Sequence, residues 1–202
     1  MADIFREIDE EVRREKAAAF WRKYGNALIA VAVVIVAAVA GWQFWQAQQN
    51  RKAQAVGAQF EAALKASRDG QPAEALTLLG EVMATGAPGD RLLARLRAAG
   101  EAAKRDAAEG AAAFDALAED TSLDPMYREL ARLRAAIIRI DLLPYAELRA
   151  VLEPLTAANG VWRHSAREFL GIAALQANLF EDAGRWFDAA ITDPQAPRDL
   201  RQ

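Results

Sequence analysis

The sequence predicts an all-α chain in which one apolar helix near the N-terminus is followed by an array of about four helical hairpins. Three observations predict this class. The chain has no charged side chain between Lys23 and Arg51. Beyond Arg51 it is rich in Ala, Leu, Arg and Glu, and it never alternates apolar and polar residues over the length of a strand. Glycine and proline then recur at intervals that cut this part into about eight helices of roughly 12 to 18 residues.

The first element is a membrane-spanning helix from Tyr24 to Trp45. Its centre, Ala27 to Ala40, is unbroken aliphatic sequence. A bilayer core needs about 20 mostly apolar residues at a rise of about 1.5 Å each, which this segment supplies. Aromatic side chains favour the headgroup layer, so we expect those at the two ends to anchor the helix at both interfaces. These residues are Trp21, Tyr24, Trp42, Phe44 and Trp45.

Two other interpretations of the apolar segment remain open. It is apolar enough to be the buried core helix of a soluble protein, although the flanking aromatics and charges disfavour this. Alternatively it is the apolar region of a signal peptide, since Ala38-Val39-Ala40 before Gly41 fits the small-x-small cleavage pattern. The preceding segment disfavours cleavage, because it is long and carries six acidic and six basic residues, whereas signal peptides begin short and basic.

The distribution of basic residues predicts the topology. Six lysines and arginines precede the span, and only Arg51 and Lys52 follow it closely. The positive-inside bias therefore predicts a cytoplasmic leader at 1–23, a transmembrane helix at 24–45 and a domain at 46–202 across the membrane, which in a bacterium is the periplasm. The absence of cysteine from the sequence is compatible with that oxidising compartment. In the leader, Ile4, Phe5, Ile8 and Val12 have helical spacing, which predicts an amphipathic helix whose apolar stripe contacts lipid or a partner. The alternative is a solvated leader that only sets the topology.

The last hairpin carries the pattern of a tetratricopeptide repeat (TPR). Small and large residues follow one another in the order of that repeat: Leu170, Gly171, Ala174, Asn178, Ala183, Phe187, Ala190 and Pro194. Small residues let two helices approach closely, an aromatic fills the gap beside them, and a proline ends the second helix. A TPR-like α-solenoid is therefore predicted, with a plain helical bundle as the alternative.

Weaker copies of the pattern lie upstream. Ala75, Leu79 and Val82 match Ala183, Phe187 and Ala190, and the series Ala113, Leu117, Pro125 matches Ala183, Phe187, Pro194. The predicted period is near 34 residues but irregular. The hairpin between Met126 and Ala158 matches poorly, because Pro144 and Pro154 interrupt its second helix.

The sequence offers few groups for catalysis, and we expect no enzyme and no cofactor. It has one histidine, His164, which near the start of a helix is expected to be a surface or capping residue. It has no phosphate loop, no G-x-S-x-G elbow and no cluster for a metal or a small-molecule substrate. Nucleic acid is not an expected partner either, since the residues after the span hold 19 basic and 22 acidic side chains.

Recognition of protein is the remaining class of function. In stacked helical hairpins the first helices line a concave face that can hold a partner segment. The predicted register points nine residues to that face, giving a groove with apolar ends and a basic centre. They are Phe60, Leu64, Arg95, Arg105, Arg128, Arg132, Glu168, Ile172 and Leu175. The alternative is that these side chains only cover the surface of the array.

The whole chain resembles a known family. The opening DIFREIDEEVRREKAAAFWRKYGN, one span and a degenerate repeat array are similar to the bacterial YfgM-like tetratricopeptide-repeat membrane proteins. The resemblance implies an ancillary subunit of the Sec translocon in the inner membrane, which works beside a periplasmic chaperone on proteins that leave the channel. The same architecture would also suit a membrane-tethered scaffold for another envelope assembly, such as division or secretion machinery.

Overall fold

The computed structural model describes residues 2–196, and it describes their side chains except at 2–12, 17 and 28. Within these limits the chain consists of helices joined by short turns and contains no strand, so the predicted all-α class is confirmed. It divides into two compact units, Met1–Gln54 and Ala55–Gln202. The apolar stripe predicted in the leader lies outside the described side chains.

The first unit is formed by the greater part of helix α1 (Ala2–Arg68). An 18-residue window of this helix has a mean hydropathy of 1.8, and none of it is buried in protein. The large aliphatic side chains from Ile29 to Val39 and the rings of Trp42 and Trp45 are all exposed. Helix α1 is therefore long and apolar enough to cross a membrane, and the described part of the protein supplies no core around it.

The second unit is an array of four helical hairpins, in agreement with the predicted number. The end of α1 pairs with α2 (Pro72–Thr85), and the remaining six helices follow in pairs. These are α3 (Pro88–Arg105) with α4 (Ala107–Glu119), α5 (Pro125–Ile138) with α6 (Tyr145–Leu152), and α7 (Arg163–Gln176) with α8 (Phe180–Ile191).

Capping residues fix where these helices begin. The carboxylate of Asp106 accepts hydrogen bonds from the backbone N–H groups of Ala108 and Glu109, so a single residue separates α3 from α4. Asp124 caps α5 in the same way, and Pro125 follows it at the first helical position. The short turn at Asp106 keeps α3 and α4 closely antiparallel.

The two prolines of the third hairpin bound its second helix, rather than breaking a longer one. Pro144 immediately precedes α6, and Pro154 lies in a 3₁₀ turn, Glu153–Thr156, that continues it. Helix α6 therefore has only 8 residues, fewer than the predicted 12 to 18. The hairpin is retained because Leu148, Leu152 and Leu155 remain buried on one side of this composite segment.

Small residues in the first helix of every hairpin recur at a constant spacing. Ala63, Ala99, Ala135 and Gly171 are 36 residues apart, and all four are buried. Two of them share a hydrophobic cluster with a large residue of the second helix, Ala63 with Leu79 and Ala99 with Phe114. The period in the first helices is therefore regular and slightly longer than the predicted value near 34.

The register predicted for the second hairpin is wrong by three residues. Phe114 and Leu117 are the fully buried large residues of α4, whereas Ala113 is only half-buried. The residues equivalent to Ala75, Leu79 and Val82 are therefore Gly110, Phe114 and Leu117, each 35 positions later. The physical reason is that Gly110 lies at the helix crossing: a β-carbon there would approach Cα of Ala103 to 2.3 Å.

Candidate functional site

The first helices of the first three hairpins line an open groove of about 490 Å³. Within the second unit, the end of α1 contributes Phe60 and Leu64, α3 contributes Leu93 and Leu96, and α5 contributes Leu130 and Ile137. These side chains are half-buried or exposed, and Leu93 retains 53% of its accessible surface. An uncovered apolar surface of this kind is typical of a site for a partner.

Gly100 leaves space on the α3 side of the groove. It lines the groove, and a β-carbon added at this residue would meet no atom within 4 Å. The helix therefore does not need glycine there for its own packing. The missing side chain instead leaves the groove open beside α3.

Two arginines, Arg97 of α3 and Arg134 of α5, are the charged residues of the groove lining, which contains no acidic side chain. Arg134 is exposed and forms no ion pair with any residue whose side chain the structure describes. Arg97 is partly engaged, since its Nη2 lies 2.8 Å from Oε1 of Glu101 and 2.8 Å from Oγ of Ser67. The groove lining is thus apolar except for two positively charged residues.

Glu101 is only 1% exposed, and its carboxylate binds the charged side chains beside the groove. It accepts hydrogen bonds from Ser67 at 2.7 Å and from Lys104 at 3.1 Å, in addition to its pair with Arg97. Burial alone would raise the pKa of Glu101, but these hydrogen bonds and the two cations outweigh it and lower the pKa below its ordinary value. One buried anion therefore holds the end of α1 against α3 and leaves an excess of positive charge.

The structure places the nine predicted groove residues in several environments. Phe60 and Leu64 line the groove. Arg95 instead pairs with Asp120 at 2.7 Å, and hydrogen bonds from Ser122 and Arg95 lower the pKa of Asp120 to about 2. Arg105 is exposed near the α3–α4 turn and pairs with Glu109.

The remaining predicted residues lie on α5 and α7. Arg128 is half-buried, and its Nε has no hydrogen-bond partner among the described residues. Arg132 is exposed and lines a second cavity, of about 490 Å³, together with Asp115, Glu119 and Val151. On α7, Glu168 and Ile172 are half-buried and Leu175 is exposed. Their role in binding a partner stays a prediction.

Arg97 and Arg134 were not among the predicted groove residues. Each residue turns an α-helix by about 100°, so an error of two residues moves a side chain to the other side. The 36-residue spacing of Ala99 and Ala135 is the pattern that fixes the rotation of α3 and α5, since buried small residues must face the neighbouring helices.

His164 is neither the exposed surface residue nor the capping residue that the sequence predicts, since α7 has no side-chain cap. Its side chain is only 12% exposed, and neither ring nitrogen has a hydrogen-bond partner among the described residues. It lies beside Arg163 and Arg167, which both bind Asp193, at 2.8 and 3.2 Å. Burial and the charge of Arg163 lower the pKa of His164, although Asp193, 3.8 Å from Nε2, opposes this. The cluster joins the start of α7 to the segment after α8.

Among the described residues, no group of three histidine, cysteine or carboxylate side chains could hold a metal ion. A family model described as "Tetratricopeptide repeat-like domain" matches residues 18–201 of the chain. No curated protein and no solved structure matches it. The repeat class predicted from the last hairpin is thus confirmed, and the groove lies on the first helices of a repeat array of this kind.

Proposed function

The chain belongs to the tetratricopeptide repeat-like domain family, and from this premise we propose that it is a membrane-anchored module that binds proteins through the groove of its repeat array. Domains of this class generally bind proteins and are not catalytic. The observation that supports the proposal most directly is the apolar groove that Arg97 and Arg134 also line. No described residue of the repeat array covers it.

Helix α1 is the proposed anchor. Its exposed aliphatic surface would be unfavourable in water, because burial of apolar surface contributes about 25 cal/mol per Å². We assign residues 1–23 to the cytoplasm, 24–45 to the inner membrane and 46–202 to the periplasm. The basis is the excess of lysines and arginines before the span over those that follow it closely, together with the aromatic side chains at its two ends: Trp21, Tyr24, Trp42, Phe44 and Trp45.

Two assays test this topology. Alkaline carbonate should leave the full chain in the membrane fraction, and protease added to spheroplasts should remove residues after the span while a tag at residue 1 stays protected. Extraction into the supernatant contradicts the anchor. Protection of the C-terminal part contradicts the orientation.

The proposed partners are subunits of the Sec translocon and a periplasmic chaperone. The resemblance of the leader and of the WRKYGN segment to YfgM-like proteins supports this choice. A photoreactive amino acid placed singly between Trp42 and Arg51 should then crosslink mainly to translocon subunits. The same amino acid at exposed Glu119 serves as the control for unspecific capture.

Purification in mild detergent and identification of the bound proteins complete the test. Recovery of channel subunits or of a chaperone supports the translocon role. Recovery of division or secretion proteins in their place favours the alternative, a membrane-tethered scaffold for another envelope assembly. Recovery of no protein at all contradicts the binding module itself.

A further inference from the structure

The groove of the first three hairpins has a charge and a shape that restrict what it can bind. Its walls are apolar, its charged lining residues are Arg97 and Arg134, and no acidic side chain lines it. The cluster behind Arg97 does not cancel this charge, since Lys104 offsets the single carboxylate of Glu101 that pairs with Arg97. An occupant that places carboxylates beside these cations is therefore favoured, and a basic occupant is disfavoured.

The groove is also too open for a ligand that is apolar on all sides. Leu93 keeps about half of its surface exposed. Enclosed pockets bury about 70–90% of a small ligand, which this surface does not provide. An acyl chain lying here would leave much of its own length in water. A helix with one apolar and one polar face can bury its apolar face in the groove, because its polar face can remain solvated.

Helical ligands fit the lining better than extended ones. The described residues of the array present no sheet edge to which an extended peptide could add main-chain hydrogen bonds. Apolar side chains at i, i+3, i+4 and i+7 of a helix would instead fill the space between α3 and α5 that Gly100 leaves open.

We propose that this groove binds an acidic amphipathic helix of a partner protein, with its apolar face on Phe60, Leu93 and Leu130 and its carboxylates beside Arg97 and Arg134. The inference rests on the proposed function and adds the chemistry of the partner segment. Arg134 is the more informative residue of the two, because it is exposed and is not engaged by a described acidic side chain.

The test uses the full chain in nanodiscs of zwitterionic lipid and two labelled helical peptides. Both peptides carry leucines at i, i+3, i+4 and i+7. One has glutamates beside the leucines and the other has lysines at the same positions. Fluorescence anisotropy should show that the glutamate peptide binds about tenfold more tightly than the lysine peptide, which corresponds to about 1.4 kcal/mol. Equal binding of the two overturns the proposal.

Two matched pairs of variants locate the site. Arg134→Glu should lower the affinity for the glutamate peptide about fivefold or more and raise the affinity for the lysine peptide. Arg132→Glu, on the same helix but outside this groove, should change neither affinity. Gly100→Trp should block the groove, whereas Gly184→Trp places the same side chain at another open helical position on α8. Circular dichroism checks that all four variants are folded. If Arg132→Glu changes the peptide affinities and Arg134→Glu does not, the groove assignment is wrong.

Two further outcomes separate this inference from the proposed function. If neither peptide binds while detergent-purified Gly100→Trp still recovers the same proteins as the parent chain, the binding module stands and this groove is not its site. Displacement of the glutamate peptide by oleate at a lower concentration than by unlabelled peptide would show a site for an anionic amphiphile. That result also overturns the proposal.

Discussion

Gly171 of α7 lies directly against the ring of Phe187 of α8: a β-carbon at residue 171 would be 2.6 Å from Cε1 of the phenylalanine. The two helices of the last hairpin can approach closely only because residue 171 has no side chain. Phe187 in turn fills the space beside the crossing. This is the contact that the sequence pattern of the last hairpin predicts.

Gly171→Ala should therefore destabilise the repeat array by about 1–3 kcal/mol, because the methyl group forces the ring of Phe187 or one helix to move. The measurement is the unfolding free energy of the detergent-solubilised chain from urea titration followed by circular dichroism. Gly184→Ala on α8 is the control, since its methyl group meets no atom and alanine favours a helix by about 0.5–1 kcal/mol. Equal effects of the two substitutions would contradict the packing described.

We expect Gly110→Ala to lower the free energy of unfolding more than Gly171→Ala does. The added methyl group would approach backbone and side chain of Ala103 to 2.3 Å, and the one-residue turn at Asp106 prevents α3 and α4 from separating. We expect a lower unfolding free energy and a lower midpoint of thermal unfolding than for Gly171→Ala, where a ring can rotate. Gly100→Ala on α3, where the space is open, should leave the free energy of unfolding unchanged or raise it, as measured by urea titration followed by circular dichroism.

Glu101→Gln tests the buried anion that joins α1 to α3. An amide can still accept the hydrogen bond of Ser67 but cannot pair with Arg97 and Lys104, so we expect a loss of about 1–3 kcal/mol at neutral pH. Glu119→Gln, at an exposed site on α4, should change the unfolding free energy by less than about 0.5 kcal/mol.

The effect of Glu101→Gln should also depend on pH. The folded chain lowers the pKa of Glu101 below the ordinary value of 4.5. The contribution of the ionised carboxylate to the free energy of unfolding is therefore fully present above pH 4.5. It is lost as the pH falls through the lowered folded pKa, since the carboxylate is then protonated in both states. Unfolding titrations between pH 7 and pH 3 should show the variant and the parent chain converging. A constant difference over this range would exclude an electrostatic role.

His164 gives a second pH dependence, which lies closer to neutrality. Since the pKa of the buried imidazole is lowered below 6.5, the unfolded chain takes up a proton first, and stability should fall as the pH drops below about 6.5. It is the only histidine, so with a tag other than polyhistidine its ring protons can be followed by NMR. His164→Gln should remove this part of the pH dependence. A titration midpoint above 6.5 would instead show that pairing with Asp193 dominates.

The sequence was sufficient for the features that depend on strong local patterns. The uncharged stretch after Lys23 identified the apolar helix, and the Gly171 and Phe187 pair identified the repeat class. The rotation of the middle helices could not be predicted in this way. The buried residues of α3 and α5 are mostly alanines, and alanines also lie at exposed positions of α4 and α6, so the presence of alanine does not identify the buried side of a helix.

The same limit applies to the groove. Several arginines of α5 lie within two turns, and only packing decides that Arg134 reaches the groove while Arg132 lines another cavity. His164 shows a different limit: it lies beside Asp193, which is distant in sequence and binds the two neighbouring arginines. A local pattern cannot reveal such a contact.

The constant distance between Ala63, Ala99, Ala135 and Gly171 constrains how the gene can change in length. Second helices are less regular, since the buried residues Leu79 and Phe114 are 35 residues apart and the buried residues Phe114 and Leu152 are 38 residues apart. A codon gained between the two helices of a hairpin therefore keeps the 36-residue spacing only if a codon is lost between its second helix and the next first helix. A net change in length that preserves the spacing is the duplication or loss of a whole 36-residue unit.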